Sequence, residues 1–156
     1  MSATVRSFLW LESGAEEAAR FYVSLFADGK IKSVETIAIP DGGVEVIEFS
    51  LQGADFVLMG CKGGPAANEA FSISVLCDDQ AEVDRLWGAL VEGREGVACG
   101  WLKDRFGFSW QITPKRMNEL MESGNEAQRA AVMGAMMGMV KFDIAALETA
   151  FNAAAD

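Results

Sequence analysis

Glu17-Ala-Ala-Arg20-Phe21-Tyr22-Val-Ser-Leu25 recurs 65 residues later as Glu82-Val-Asp-Arg85-Leu86-Trp87-Gly-Ala-Leu90. Both copies place an acid, an arginine, a large apolar pair and a leucine at helical spacing. Each copy follows a short apolar strand with a serine at a matching place, Ser7 in the first copy and Ser72 in the second. A repeat of this length indicates two copies of one supersecondary unit that share a core. It also predicts a cleft that the two copies share.

The composition is that of one globular domain. The chain has 156 residues, of which 51% are hydrophobic and 23% are charged, and this suffices for one substantial core. With 13 basic and 23 acidic residues the formal net charge is −10, which repels polyanions. We therefore expect no nucleic-acid partner and no association with a membrane.

The cysteines and the beginning of the chain indicate a cytoplasmic protein. Cys61, Cys77 and Cys99 are odd in number and lack CxxC spacing, which fits reduced thiols in a reducing compartment. The first residues contain no long apolar segment typical of a secretory signal. We read the cysteines as buried structural thiols, since a catalytic thiolate usually needs a base beside it.

The complete absence of histidine restricts the chemistry. It excludes Ser-His-Asp and Cys-His sites, HExxH sites and any metal held by imidazole. Acid–base chemistry would depend on Asp, Glu, Lys, Tyr22 or a metal-bound water. The sequence alone leaves open whether the protein is an enzyme.

Hydrophobic periodicity predicts the same order of elements twice, βαβββ. The first unit spans about 5–60 and the second about 70–114. The predicted elements are strand 5–11, helix 16–26, strands 32–39, 44–51 and 56–59, strand 71–76, helix 79–92, and strands 99–103 and 108–113. The fold class we predict is α+β, a curved and mostly antiparallel sheet with helices outside. Residues 1–114 form the paired domain, and 115–156 are a helical extension of it.

The extension is predicted as three helices, 115–121, 125–139 and 143–154, the last with Asp143 as its N-cap. Six of the eight methionines lie here. One helical stripe is too apolar to remain in water, namely Val132, Met133, Met136, Met137 and Val140. We expect a homodimer in which these helices contribute to the interface, with a monomer whose tail folds on its own sheet as the alternative.

The segment Cys99-Gly-Trp-Leu-Lys-Asp-Arg-Phe-Gly-Phe-Ser-Trp-Gln-Ile-Thr-Pro114 resembles the closing signature of the PhnB-like proteins. These are also called 3-demethylubiquinone-9 3-methyltransferase-like proteins, a branch of the vicinal oxygen chelate superfamily. Phe8-Leu-Trp-Leu, Glu16-Glu-Ala-Ala-Arg-Phe-Tyr22 and Asp143-Ile-Ala-Ala-Leu147 are similar to other parts of the same family. The resemblance covers nearly the whole chain in order and implies paired βαβββ units and two-fold pairing of chains.

In the enzymes of that superfamily, such as glyoxalase I, a metal held by His and Glu chelates neighbouring substrate oxygens. The resemblance matches these ligand positions to Ser7, Ser72 and Gln111, and to a position near Val57. Hydroxyl, amide and alkyl groups are poor ligands for a transition metal. We therefore predict no metal at this site and no cofactor. Methyl transfer is also not expected, because no glycine-rich strand-to-helix junction for a nucleotide-bearing donor is visible.

The concave face of the predicted sheet should carry an apolar, aromatic pocket. Its candidate residues are Ser7, Trp10, Glu12, Phe49, Met59, Ser72, Trp101, Trp110 and Gln111, with Lys103 at the rim. Plain core packing is the alternative for each aromatic residue.

Two classes of function follow. The first is a metal-free protein, binding module or enzyme, that takes an apolar or aromatic small molecule. The second is a dimeric assembly module without catalysis. A methyltransferase of the ubiquinone pathway is an alternative that rests on the family label.

Overall fold

The computed structural model describes residues 2–155 and contains two compact units. Unit 1, Met1–Ala67, contains β1 (Ser7–Leu11), α1 (Ala15–Ser24), β2 (Lys30–Ile39), β3 (Gly42–Leu51) and β4 (Ala54–Gly60). Unit 2, Asn68–Asp156, contains β5 (Ser72–Cys77), α2 (Gln80–Val91), β6 (Trp101–Lys103), β7 (Ser109–Pro114), α3 (Lys115–Ser123), α4 (Glu126–Met137) and α5 (Ile144–Ala153).

In unit 1 the strands form one sheet, sheet A, in the order β1-β4-β3-β2, and α1 covers one of its faces. The β1–β4 pair is parallel, and the other two pairs are antiparallel. Tyr22 of α1 lies 6.3 Å from the ring of Phe49, which stacks on Phe56 at 5.2 Å. The α1 face of this sheet is therefore the apolar core of unit 1.

In unit 2 the strands form sheet B, in the order β5-β7-β6, again with the first strand parallel to the last. The helix α2 begins after Asp79, whose side chain accepts a hydrogen bond from the Glu82 N–H at 2.9 Å, so the N-cap predicted in 78–79 is confirmed. The side chains on one face of sheet B are almost fully buried, namely Ile73, Leu102, Trp110 and Ile112.

The repeated order, the α+β class, the mostly antiparallel pairing and the C-terminal helices are confirmed. Unit 2 contains three strands within its described residues, close to the three ranges predicted for it, so the βαβββ order is one strand short there. The strand predicted at 99–103 begins only at Trp101. The segment between α2 and β6 adopts left-handed backbone at Glu92, Gly93, Cys99 and Gly100, which a strand does not accommodate. Its amides at Cys99 and Gly100 bond instead to the carbonyls of Met139 and Val140.

The three helices of the extension are confirmed, with boundaries shifted by a few residues. Asp143 caps α5 as predicted, accepting from the Ala146 N–H at 3.1 Å. The apolar stripe of α4 is divided, because Val132 is fully buried whereas Met137 is 72% exposed. None of the described helices is long and apolar enough to cross a membrane.

The three cysteines differ in exposure, and this predicts their order of reaction. Cys77 is buried, and burial raises the pKa of its thiol from 9.0 to about 11, whereas Cys61 and Cys99 are half-buried. The protonated Cys77 thiol contributes to the free energy of unfolding, and this contribution is complete below its ordinary pKa and is lost as pH rises through about 11.

We expect iodoacetamide at about pH 8 to modify Cys61 and Cys99 first, and Cys77 only after unfolding. Mass spectrometry of peptides that finds Cys77 modified as fast as Cys61 in the native chain would contradict this.

Candidate functional site

Three of the predicted site residues meet on one face of sheet B. Trp101 lies opposite Gln111, and Ser72 and Gln111 project to the same side because Ser74 is the register partner of Gln111. Gln111 Nε2 donates a hydrogen bond to Ser72 Oγ at 2.9 Å. All three side chains are half-buried. We call this side, with Ser72, Trp101, Lys103 and Gln111, the polar face.

Trp110 lies on the opposite side of the same sheet. Its side chain is fully buried, and its Nε1–H donates to Asp104 Oδ2 at 2.8 Å. Its position is that of a core residue, which was the alternative that the sequence left open.

In unit 1, Trp10 and Met59 are register partners and share the face of sheet A that points away from α1. Trp10 Nε1–H donates to the Cys61 carbonyl at 3.3 Å. Gly64 lies against the indole, since a Cβ at position 64 would approach Trp10 Nε1 to 2.2 Å. Trp10 is therefore held in place by the segment that follows β4.

The other candidates of unit 1 lie elsewhere. Phe49 is fully buried on the α1 face, and Ser7 pairs with Phe56 on that same face. Glu12 is exposed after the end of β1. The sequence analysis predicted Phe49 and Ser7 in one pocket with Trp10. The strand register places Phe49 and Ser7 on one face of sheet A and Trp10 on the other. A pocket built from both units stays a prediction.

The positions matched to metal ligands can be compared with what a metal requires. In unit 1 the position matched to a ligand lies near Val57, which is fully buried and carries an alkyl side chain. The matched residues of unit 1 offer a hydroxyl and an alkyl group, and those of unit 2 offer a hydroxyl and an amide. None of these groups suits a transition metal. Within residues 2–155, no group of three or more His, Cys, Asp or Glu side chains is placed to hold a metal ion.

The charge on the polar face is neutralised locally. Lys103 follows Trp101 on the same side of β6, and its Nζ lies 2.9 Å from Glu69 Oε1. The hydrogen bond from Lys103 lowers the pKa of Glu69 below its ordinary value, so this carboxyl group is ionised at neutral pH. The charged groups at this edge therefore cancel.

A cavity that the sequence did not predict lies in unit 1. Its volume is about 440 Å³, and it is lined by Ile39, Asp41, Gly43, Cys61 and Lys62. It forms where the β2–β3 turn meets the end of β4. The turn is visible in the sequence as Pro40-Asp-Gly-Gly43, but no local signal relates it to a segment about 20 residues later.

Solved structures support the fold. A putative 3-demethylubiquinone-9 3-methyltransferase, PhnB protein, from Bacillus cereus is 27% identical, with coverage of 72% of this chain and 99% of that one and a TM-score of 0.63. A Pseudomonas aeruginosa protein is 20% identical over 72% of this chain and 98% of its own, with a TM-score of 0.56. The trypanothione-dependent glyoxalase I of Leishmania major is 14% identical over 79% of this chain and 94% of its own, with a TM-score of 0.51, and shows likeness of fold alone.

A comparison with curated proteins gives no match. The family model described as 3-demethylubiquinone-9 3-methyltransferase matches residues 3–113, a span that contains both copies of the repeat and the signature around Asp104 and Gly107. The chain therefore belongs to the 3-demethylubiquinone-9 3-methyltransferase family, the PhnB-like branch of the vicinal oxygen chelate superfamily.

Proposed function

We propose that the chain is a metal-free small-molecule-binding protein whose ligand is apolar or aromatic. The observation that carries this proposal is the hydrogen bond between Gln111 Nε2 and Ser72 Oγ beside Trp101, at two positions that the family resemblance matches to the metal ligands of the superfamily's enzymes. A half-buried indole next to neutral donors and acceptors suits an aromatic molecule with one polar group. The three unpaired cysteines support a reducing compartment, for which we propose the cytoplasm.

Thermal denaturation with a panel of quinones, phenols and dicarbonyls tests this proposal. A ligand at 100 times its Kd should raise the free energy of unfolding by about 2.7 kcal/mol. Trp101→Ala should weaken binding of that ligand about threefold to tenfold, whereas Gln52→Ala, in an exposed turn of unit 1, should leave it unchanged. A panel in which no compound raises the Tm would count against the proposal. Stoichiometric metal in the purified protein, lost in Gln111→Ala, would contradict its metal-free part.

Methyl transfer is the alternative offered by the family's name. A nucleotide-bearing methyl donor needs a glycine-rich turn between a strand and a helix. The β1–α1 junction here carries one glycine, Gly14, and the β5–α2 junction is Asp78-Asp79. We therefore favour binding over methyl transfer.

A dimeric assembly module is the second candidate, and a surface of unit 2 favours it. Large apolar side chains of α4 and of the segment after it are exposed, with Met137 at 72%, Val140 at 47% and Met133 at 38%. Apolar groups that recur along one helix and the segment after it are usually contact surfaces. We propose that two copies pair through them, because two-fold pairing is the commonest assembly of soluble chains.

Light scattering of the full chain tests this second proposal. The native chain should have the mass of a dimer at micromolar concentration, and the double variant Met133→Glu/Met137→Glu should have that of a monomer. Ala127→Glu, which adds a charge at an exposed position on another side of the same helix, is the matched control and should remain dimeric. A native chain at monomer mass would end the proposal. A double variant that stays dimeric would locate the interface elsewhere.

A further inference from the structure

We infer that the polar face selects an uncharged aromatic amide over a carboxylate of the same shape. This inference rests on the proposed function and names its class of ligand. Binding and selectivity can be tested separately, since a protein that binds aromatic molecules at this face need not distinguish a neutral molecule from an anion.

The hydrogen-bonding groups on this face are neutral and include both donors and an acceptor. Because Gln111 Nε2 donates to Ser72 Oγ, the Ser72 hydroxyl proton is left for another acceptor. Gln111 Oε1 and the Trp101 indole N–H have no hydrogen-bond partner within residues 2–155. An aromatic amide complements this set, because its carbonyl accepts from a hydroxyl or indole proton while its N–H donates to Gln111 Oε1.

A carboxylate meets two obstacles at the same place. It has no proton to donate to Gln111 Oε1, so two acceptors would face each other. The cation that the register places on this face, Lys103, is already paired with Glu69. An anion must therefore give up water without gaining a cation, in a chain whose net charge is −10.

Three probes of one shape separate these effects, namely 2-naphthamide, methyl 2-naphthoate and 2-naphthoate. Binding to the full chain at low ionic strength is followed by two-dimensional NMR of the Trp101 indole N–H, assigned with Trp101→Phe. In the native chain it is also followed by the Gln111 side-chain amide, assigned with Gln111→Met. We expect the amide to bind at least about tenfold more tightly than the carboxylate, with the ester between them. In Gln111→Met the amide should lose its advantage over the ester, whereas Gln52→Met should keep it.

Glu69→Gln provides a second measurement that a purely structural role would not move. This change leaves Lys103 without its partner, so the affinity for 2-naphthoate should rise about twofold to fivefold while that for 2-naphthamide stays constant. Equal binding of amide and carboxylate to the native chain would overturn the inference and leave aromatic binding intact. If none of the three probes moves the Gln111 signals at about 1 mM, the proposed function fails with it.

Discussion

Asp104→Ala is expected to lower the free energy of unfolding by about 3–5 kcal/mol. Asp104 is 3% exposed and lies between β6 and β7. Its Oδ1 accepts from the backbone N–H groups of Phe106 and Phe108 at 2.9 and 3.0 Å, and its Oδ2 accepts from Trp110 Nε1 at 2.8 Å. Removing the carboxyl group takes away the acceptor of these three N–H groups at a buried position. Each lost hydrogen bond lowers the free energy of unfolding, because the donor stays shielded from water.

Two further variants make the result interpretable in urea denaturation followed by tryptophan fluorescence. Asp104→Asn keeps an oxygen for the two backbone donors but places an amide nitrogen against the indole N–H. Its free energy of unfolding should therefore fall by less, about 1–3 kcal/mol. Asp41→Ala, at an exposed turn, should change stability by less than about 0.5 kcal/mol. A loss below about 1 kcal/mol for Asp104→Ala would show that the carboxyl group does not organise this hairpin.

The same residue shows what local sequence determines. Asp104-x-x-Gly107 is recognisable as a hairpin signature, and its physics is local, since Gly107 has φ +92 and its N–H bonds to the Asp104 carbonyl at 3.1 Å. The repeated helices are equally readable, because an apolar stripe with a capping residue is a signal within one turn or two. Elements of this kind could be predicted from the sequence nearly to their ends.

The faces of the strands were harder to predict. In β3 both alternating sets contain large apolar residues, with Val44 and Val46 on one side and Ile47 and Phe49 on the other. A pattern with period two does not choose between them, and only pairing with Phe56 and packing on Tyr22 place Phe49 in the core. The same ambiguity placed Trp110 among the predicted site residues. Ser72 and Gln111, which the repeat and the family resemblance matched to ligand positions, share one face of sheet B.

The late start of the strand predicted at 99–103 could not be read from the sequence, because the contacts that cause it lie far along the chain. Residues between α2 and β6 are held by backbone bonds from Cys99 to Met139 and from Gly100 to Val140, about 40 residues away. Left-handed backbone at Cys99, which is not a glycine, is stabilised by such a tertiary contact and has no dependable local signal.

Gly100→Ala is accordingly the second change with a large expected effect, a loss of about 2–5 kcal/mol in the free energy of unfolding. Gly100 has φ +82, and an added Cβ would lie 2.4 Å from Phe142 Cε2 and 2.8 Å from the Ile112 carbonyl oxygen. The strained backbone and the overlap with a buried ring act together, and relief would break the Gly100 N–H bond to Val140, 2.8 Å long.

Gly88→Ala is the matched control for Gly100→Ala. Gly88 lies within α2, and a methyl group added there would meet nothing within 4 Å, so alanine should stabilise the chain by about 0.5–1 kcal/mol through its higher helix propensity. Urea denaturation of both variants measures the contrast. A Gly100→Ala variant as stable as the native chain would contradict this prediction. It would show that the close packing of Gly100 against β7 and Phe142 does not contribute to stability. If Gly100→Ala unfolds at a lower urea concentration than the native chain and Gly88→Ala does not, the contacts between Gly100 and the segment after α4 are required for the stability of unit 2.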